Sequence, residues 1–238
     1  MPSDQSSSLL FKPAREQARL IADGEISSVE LVGLHLEQVE RVNPQVNAMV
    51  TMVADAALEQ ARLADGARSA GEQLGPLHGL PIAIKDLHDT AGIRTTRGSP
   101  IYEDNVPTAD ALVVERVKNA GAIVIGKSNT PEFGAGSQTF NPVFGATRNP
   151  YDTNLTCGGS SGGAGVALAC GMVPIATGSD LGGSLRNPAA WSNVVGIRSS
   201  PGRVPAISVD LGWSGLSTDG PMGRTVGDVA LQLSVMAG

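Results

Sequence analysis

The segment GAIVIGKS, residues 121–128, matches the phosphate-binding pattern G-x-x-x-x-G-K-[ST], with Lys127 as its lysine. Phosphate binding needs a polar, glycine-rich loop after a strand, so that backbone N–H groups can surround the phosphate. Here the four variable positions are themselves an apolar strand, and Gly121 ends the preceding helix. We therefore predict that Lys127 lies near the end of a strand and that the segment binds no nucleotide.

The loop GGSSG, residues 158–162, matches the nucleophile elbow G-x-S-x-G with Ser160 at its centre. That motif needs an acid and then a histidine after the serine, whereas every histidine precedes Ser160. A triad of Ser160 with His88 and Asp86 or Asp89 is an alternative, but an acid and a histidine so close in sequence rarely contact each other. The histidines share no metal-ligand spacing, so we predict no metal site. They are His35, His78 and His88.

Lys85 ends the apolar segment GLPIAIKD and is a candidate general base. A lysine with an ordinary pKa near 10.4 is a poor base at neutral pH. Burial disfavours the charged form and lowers the pKa, so a buried Lys85 could accept a proton from a serine. In the alternative interpretation Lys85 reaches the surface and pairs with Asp86.

Two loops are rich in glycine and serine: GGSSGGAG from residue 158 and GSDLGGSLRNP from residue 178. Residues without side chains let backbone N–H groups approach a ligand closely. Successive amides at residues 181–184 could form an oxyanion hole. Plain turns are the alternative for either loop alone.

The elements that would position these residues alternate between helix and strand. Ser27 and Glu30 have the spacing of a capping box, and the helix behind them is expected to stop at Asn43-Pro44. The predicted strands are NAMVTMV, LPIAIKD, AIVIG and VPIATG, and further helices are predicted in ADAALEQARLADGARSAG, DALVVERVKNAG, SSGGAGVALACG and TVGDVALQLSVMAG. This alternation predicts an α/β fold with a mixed, mostly parallel sheet flanked by helices, in a single domain over residues 1–238.

Composition excludes several classes of protein. The 238 residues are 41% hydrophobic and 17% charged, which predicts a sizeable core. A net charge of -6 without a basic stripe argues against nucleic acid as a partner. Two cysteines are too few for a disulfide framework. With neither a signal peptide nor a membrane span in the sequence, we expect a cytoplasmic protein without a membrane partner.

The 158–189 segment, GGSSGGAGVALACGMVPIATGSDLGGSLRNPA, resembles the signature of the amidase signature family nearly position for position. Family-like segments upstream are GPLHGLPIAIKDLHDTAGIRTT, GAIVIGKSNTPEFG and FGATRNPYD, so the resemblance runs from about Leu20 to the end. Family members are about twice as long, and this chain therefore looks like the N-terminal half, with a fold incomplete on its C-terminal side.

The resemblance implies a Ser-Ser-Lys triad. Ser184 would be the nucleophile, Lys85 the base, and Ser160, after a cis peptide, the bridge between them. It further implies an oxyanion hole of four backbone amides and three supporting side chains, of which the aspartate and the arginine would pair. The amides are those of Leu181, Gly182, Gly183 and Ser184, and the supporting residues are Ser161, Asp180 and Arg186.

The implied activity is hydrolysis of a small-molecule carboxylic amide to an acid and ammonia or an amine, without metal or cofactor. One alternative is the amidase component of a glutamine-dependent transamidation complex, and another is a truncated, non-catalytic fragment. A homodimer or the missing C-terminal half are the further partners expected. The chain departs from the family's Leu-Lys-Pro at Arg198-Ser199-Ser200, and Cys157 is expected to be a buried apolar residue.

Overall fold

The structure is a computed structural model that describes residues 8–207 and 214–238. Its centre is a six-stranded mixed sheet with the strand order β1-β3-β2-β6-β8-β7. The central strands β3, β2 and β6 are parallel, and β1, β8 and β7 join antiparallel. The strands are β1 Met49–Met52, β2 Pro81–Lys85, β3 Ile123–Ser128, β6 Ile175–Asp180, β7 Val195–Gly196 and β8 Thr218–Gly223, and a separate ribbon pairs β4 Phe140–Asn141 with β5 Gly145–Ala146.

Helices cover both faces of the sheet. Residues of β2 alternate between two apolar clusters, with Ala83 in one and Ile82 and Ile84 in the other, because successive side chains of a strand point to opposite faces. Every residue of β2 is therefore buried. The helices are α1 Ala14–Ala22, α2 Ser28–Val46, α3 Ala54–Ser69, α4 Leu112–Asn119, α5 Gly162–Ala169, α6 Arg186–Trp191 and α7 Val226–Met236. Within the described ranges, none of them has the length and apolarity needed to cross a membrane.

The expected mixed sheet, parallel at its centre, and the predicted strands and helices are confirmed, but the predicted end of α2 is wrong. Ser27 caps this helix by accepting the Glu30 N–H, as expected. The helix continues past Pro44 to Val46. A proline this close to a C-terminal end costs little, because most carbonyls of the last turn have no helical partner anyway. The left-handed Asn47 then ends the helix.

Helix α5 is the buried element that carries the first glycine-rich loop. Its residues from Gly162 to Leu168 are all buried, which its unbroken small and apolar sequence allows. A Cβ at Gly163 would lie 2.3 Å from the backbone nitrogen of Asn129 and 2.6 Å from the carbonyl oxygen of Ala48. Only glycine therefore permits this close approach of α5 to the end of β3.

Candidate active site

Three neighbouring strands bring polar residues to one edge of the sheet. Lys85 ends β2, and Ser179 is the next-to-last residue of β6, its parallel neighbour. Strand β8 runs the other way, so Asp219 near its start pairs directly with Ser179. Lys85 was predicted from the sequence, but neither of the other two residues was. Asp219 was missed because TDGPMG carries the glycine and proline of a turn rather than the residues of a strand.

Lys85 is fully buried and contacts two serine hydroxyls. Its Nζ lies 2.8 Å from Ser160 Oγ and 2.9 Å from Ser179 Oγ. Burial lowers the pKa of Lys85 to about 7, although Asp219 and Asp180 act to raise it. The surface pair with Asp86 does not form, because that carboxylate accepts hydrogen bonds from Thr96 instead. Lys85 is therefore the buried amine that one of our two interpretations required.

The first glycine-rich loop presents Ser160 to this amine. The Gly159–Ser160 peptide is cis, as the resemblance implied, and Ser160 is almost completely buried. Next to it, Ser161 links the two glycine-rich loops. Its N–H donates to the Ser184 carbonyl at 3.1 Å, and its hydroxyl lies 3.3 Å from both the N–H and the carbonyl of Ser179. The structure thus brings the two loops together at the end of β6.

Ser184 lies on the second loop, partly exposed, where a substrate could reach it. Among the described residues its hydroxyl makes no hydrogen bond, so its contact with Ser160 is through the neighbouring backbone rather than between the two hydroxyls. Contacts of this kind often tighten only when a substrate is bound.

Asp180 organises the second loop from beneath. It is fully buried and accepts both hydrogen bonds of the predicted pair with Arg186, from Nε at 3.0 Å and Nη2 at 3.1 Å. Burial acts to raise the pKa of Asp180, but Arg186 and the amides of Gly183 and Leu185 outweigh it and lower the pKa to about 2. The carboxylate is therefore ionised at neutral pH. Arg198, at the departure from the family sequence, also donates to Asp180 and to the Leu216 carbonyl.

One of the four amides expected to form the oxyanion hole has another partner. The Gly183 N–H donates to Asp180 Oδ1 at 2.8 Å. In the described part of the chain, the amides of the other three residues have no protein acceptor. Those amides belong to Leu181, Gly182 and Ser184.

The residues that were set aside as nucleophile or phosphate ligand are buried. Cys157 is fully buried, and burial raises the pKa of its thiol to about 11, which leaves it protonated and unreactive at neutral pH. Lys127 lies in β3, as predicted, with its Nζ bound to the His88 carbonyl, Thr90 and Thr95. No group of residues in the described chain has the arrangement of a metal site.

A cleft of about 470 Å³ opens beside Lys85. Ser179 and Asp219 line it next to the buried amine, and Arg97 and Phe133 form part of its opposite wall. Arg97 and Phe133 both have φ values above +50°, in the left-handed region that few non-glycine residues adopt. The Phe133 N–H donates to the Arg97 carbonyl at 2.8 Å, so each helps to hold the other in place.

A buried lysine beside a serine that follows a cis peptide, next to a second serine on an amide-rich loop, is the site of an amidase signature enzyme. The family model described as Amidase matches residues 30–238, and the chain belongs to this family.

Relatives of this chain include both amidotransferase subunits and hydrolases. It is 43% identical over 232 residues to a glutamyl-tRNA(Gln) amidotransferase subunit of Acidothermus cellulolyticus, covering 98% of this chain and 46% of that protein. It is 45% identical over 230 residues to the indoleacetamide hydrolase of Bradyrhizobium diazoefficiens, covering 94% and 44%. The chain spans about half the length of the curated relatives it matches.

Solved structures of the family have the same fold. A bacterial aryl acylamidase of the amidase signature family superposes with a TM-score of 0.90 at 34% identity, over 96% of this chain and 48% of that one. A fatty acid amide hydrolase superposes with a TM-score of 0.91 at 29% identity, over 97% and 42%. This chain therefore corresponds to the N-terminal half of such an enzyme.

Proposed function

We propose that the protein carrying this sequence hydrolyses a carboxylic amide through Lys85, Ser160 and Ser184. The observation that supports this most directly is the buried Lys85 amine, whose pKa is lowered to about 7 and whose Nζ lies 2.8 Å from Ser160 Oγ. A neutral amine there can accept a proton from a hydroxyl at neutral pH.

In the proposed mechanism Ser184 attacks the amide carbonyl while its proton passes to Ser160 and the Ser160 proton passes to Lys85. The free amides of the second loop stabilise the negative charge that develops on the carbonyl oxygen. The proton then returns along the same route to the leaving amine, and water hydrolyses the acyl-enzyme. The Asp180–Arg186 pair acts indirectly, because it fixes the loop that carries both the nucleophile and these amides.

A serine-directed probe tests the nucleophile. A fluorophosphonate should label Ser184, and Ser184→Ala should abolish the labelling. Cys157→Ala is the matched control and should be labelled as the unsubstituted protein is. Labelling at Ser160 or Cys157 would contradict the assignment.

A second candidate function is the amidase component of a glutamine-dependent transamidation complex, which the amidotransferase relatives favour. We favour the stand-alone hydrolase, because the segment SNTPEFGAGSQTFN is more similar to stand-alone members. Turnover of a panel of amides by this chain and by a chain extended to the length of its relatives separates these functions. Glutaminase activity that appears only with partner subunits would support the second one, and an extended chain without any turnover would support a non-catalytic protein.

A further inference from the structure

Asp219 places a carboxylate in the cleft that the proposed proton relay does not use. It pairs directly with Ser179 across β6 and β8, and directly opposed residues have Cβ atoms roughly 4.5–5.5 Å apart on the same face of a sheet. Ser179 Oγ in turn lies 2.9 Å from Lys85 Nζ. Asp219 is therefore one side chain away from the proposed base, on the side that faces the cleft.

His88 holds one oxygen of this carboxylate. Its Nε2 lies 3.1 Å from Asp219 Oδ1, and because a carboxylate can only accept, the His88 N–H is the donor. The other ring nitrogen of His88 lies 3.0 Å from Thr177 Oγ1, which also accepts the Lys85 backbone N–H at 3.0 Å. The imidazole is therefore fixed at both ends, and it fixes the orientation of Asp219.

The second oxygen of Asp219 has no hydrogen-bond partner among the described residues, and the side chain is 18% exposed. Burial acts to raise the pKa of Asp219, but His88 and then Lys85 lower it, and the net shift is downward. The group in the cleft is thus an ionised carboxylate with a free acceptor.

A second carboxylate, Asp89, lines the same cleft but is already paired. Arg97 Nη2 lies 3.2 Å from its Oδ1 and 3.1 Å from its Oδ2. The remaining wall is largely apolar, with Leu87, Val113 and Phe133. Of the described residues that line the cleft, Asp219 is the one whose negative charge is still available to a ligand.

We propose that Asp219 is a specificity-determining residue, positioned by His88, that binds an ammonium or another hydrogen-bond donor carried by the amide substrate a few bonds from its carbonyl. The preferred substrate is then an amide with a cationic or N–H group beyond an apolar or aromatic spacer. The inference rests on the proposed function for the choice of an amide as the ligand.

The test compares two amides of the same shape, 4-(aminomethyl)benzamide and 4-ethylbenzamide. The first carries an ammonium where the second carries a methyl group. Binding is measured by calorimetry in the full chain with Ser184→Ala, so that hydrolysis does not interfere. Because a hydrogen bond to a charged group is lost in the second ligand, the ammonium ligand should bind roughly 10- to 100-fold more tightly.

Adding Asp219→Asn should reduce this preference to less than about 3-fold, since the amide keeps the shape but loses the charge. Asp89→Asn is the matched control in the same cleft and should keep the preference, because Arg97 already occupies that carboxylate. His88→Leu should reduce the preference and His88→Gln, which can still donate to Asp219, should restore part of it. A structural role alone would not produce this rescue.

Equal binding of the two amides, tighter binding of 4-ethylbenzamide, or no binding of either would overturn the inference. This comparison needs no substitution at Asp219, so it decides the matter even if Asp219→Asn does not fold. It is also separate from the proposed function, which fails if the unsubstituted full chain hydrolyses no amide and no probe labels Ser184. A preference for the ammonium ligand would survive that failure.

Discussion

Lys85 and Lys127 lie on neighbouring parallel strands, one residue out of register, and both are fully buried. Burial lowers the pKa of Lys85 to about 7 and that of Lys127 to about 8. The partners differ, however. Lys127 donates to a carbonyl and two threonine hydroxyls, so all three N–H groups of an ammonium are used. Lys85 contacts the hydroxyls of two serines.

The difference shows that burial by itself does not make a lysine a base. The three contacts of Lys127 suit a protonated amine that holds the segment after β2 in place, with Asp86, Asp89 and Asp110 acting to raise its pKa. The two contacts of Lys85 leave room for a lone pair that can accept the Ser160 hydroxyl proton. We therefore expect Lys85 to matter for turnover and Lys127 for stability.

The largest expected effect is on turnover. Lys85→Met removes the proposed base, and turnover by the full chain should fall roughly 10²- to 10⁴-fold or more. The measurement is kcat/KM on the best amide of the panel, with circular dichroism to show that the fold is retained. Near-normal turnover in this variant would remove lysine from the mechanism.

The second effect is on the free energy of unfolding. Lys127→Met leaves the His88 carbonyl and the Thr90 and Thr95 hydroxyls without their shared donor, and should cost about 3 kcal/mol in urea unfolding. Lys85→Met should cost less, because it removes fewer contacts together with a charge that is expensive to bury. The surface variant Lys118→Met is the control, with a change within about 0.5 kcal/mol. A larger loss for Lys85→Met than for Lys127→Met would reverse the comparison.

The third effect is the dependence of turnover on pH. The base must be neutral, and the pKa of Lys85 is lowered to about 7, so kcat/KM should rise roughly tenfold per pH unit below 7 and level off above it. Lys127 is not expected to contribute a step of its own near pH 8. A rise centred near 8 that disappears in Lys127→Met, with the rise near 7 absent, would exchange the roles of the two lysines.

Local pattern was enough to predict most elements, because β2, β3 and α5 are short apolar segments between clear turn signals. It was also enough to place Lys85 at a buried strand end. It could not predict the partners of that lysine, since Ser179 and Asp219 reach it only through the strand order β2-β6-β8. Likewise His88 was considered with Asp86 and Asp89, its neighbours in sequence, whereas its partners are Thr177 and Asp219. Contacts between distant segments follow from topology, which a single sequence does not contain.

The smallest expected effect is none at all, and it concerns the phosphate-binding pattern around Lys127. A phosphate would need free N–H groups and space beside Gly126, but all three N–H groups of Lys127 are engaged. A Cβ at Gly126 would lie only 2.5 Å from the Thr51 carbonyl oxygen, so β1 fills the space where a phosphate would sit. Titration with ATP or GTP in a calorimeter should therefore give no binding heat, with the natural chain and with Lys127→Met alike. Micromolar affinity that is lost in Lys127→Met would contradict this prediction and would give the second buried lysine a ligand after all.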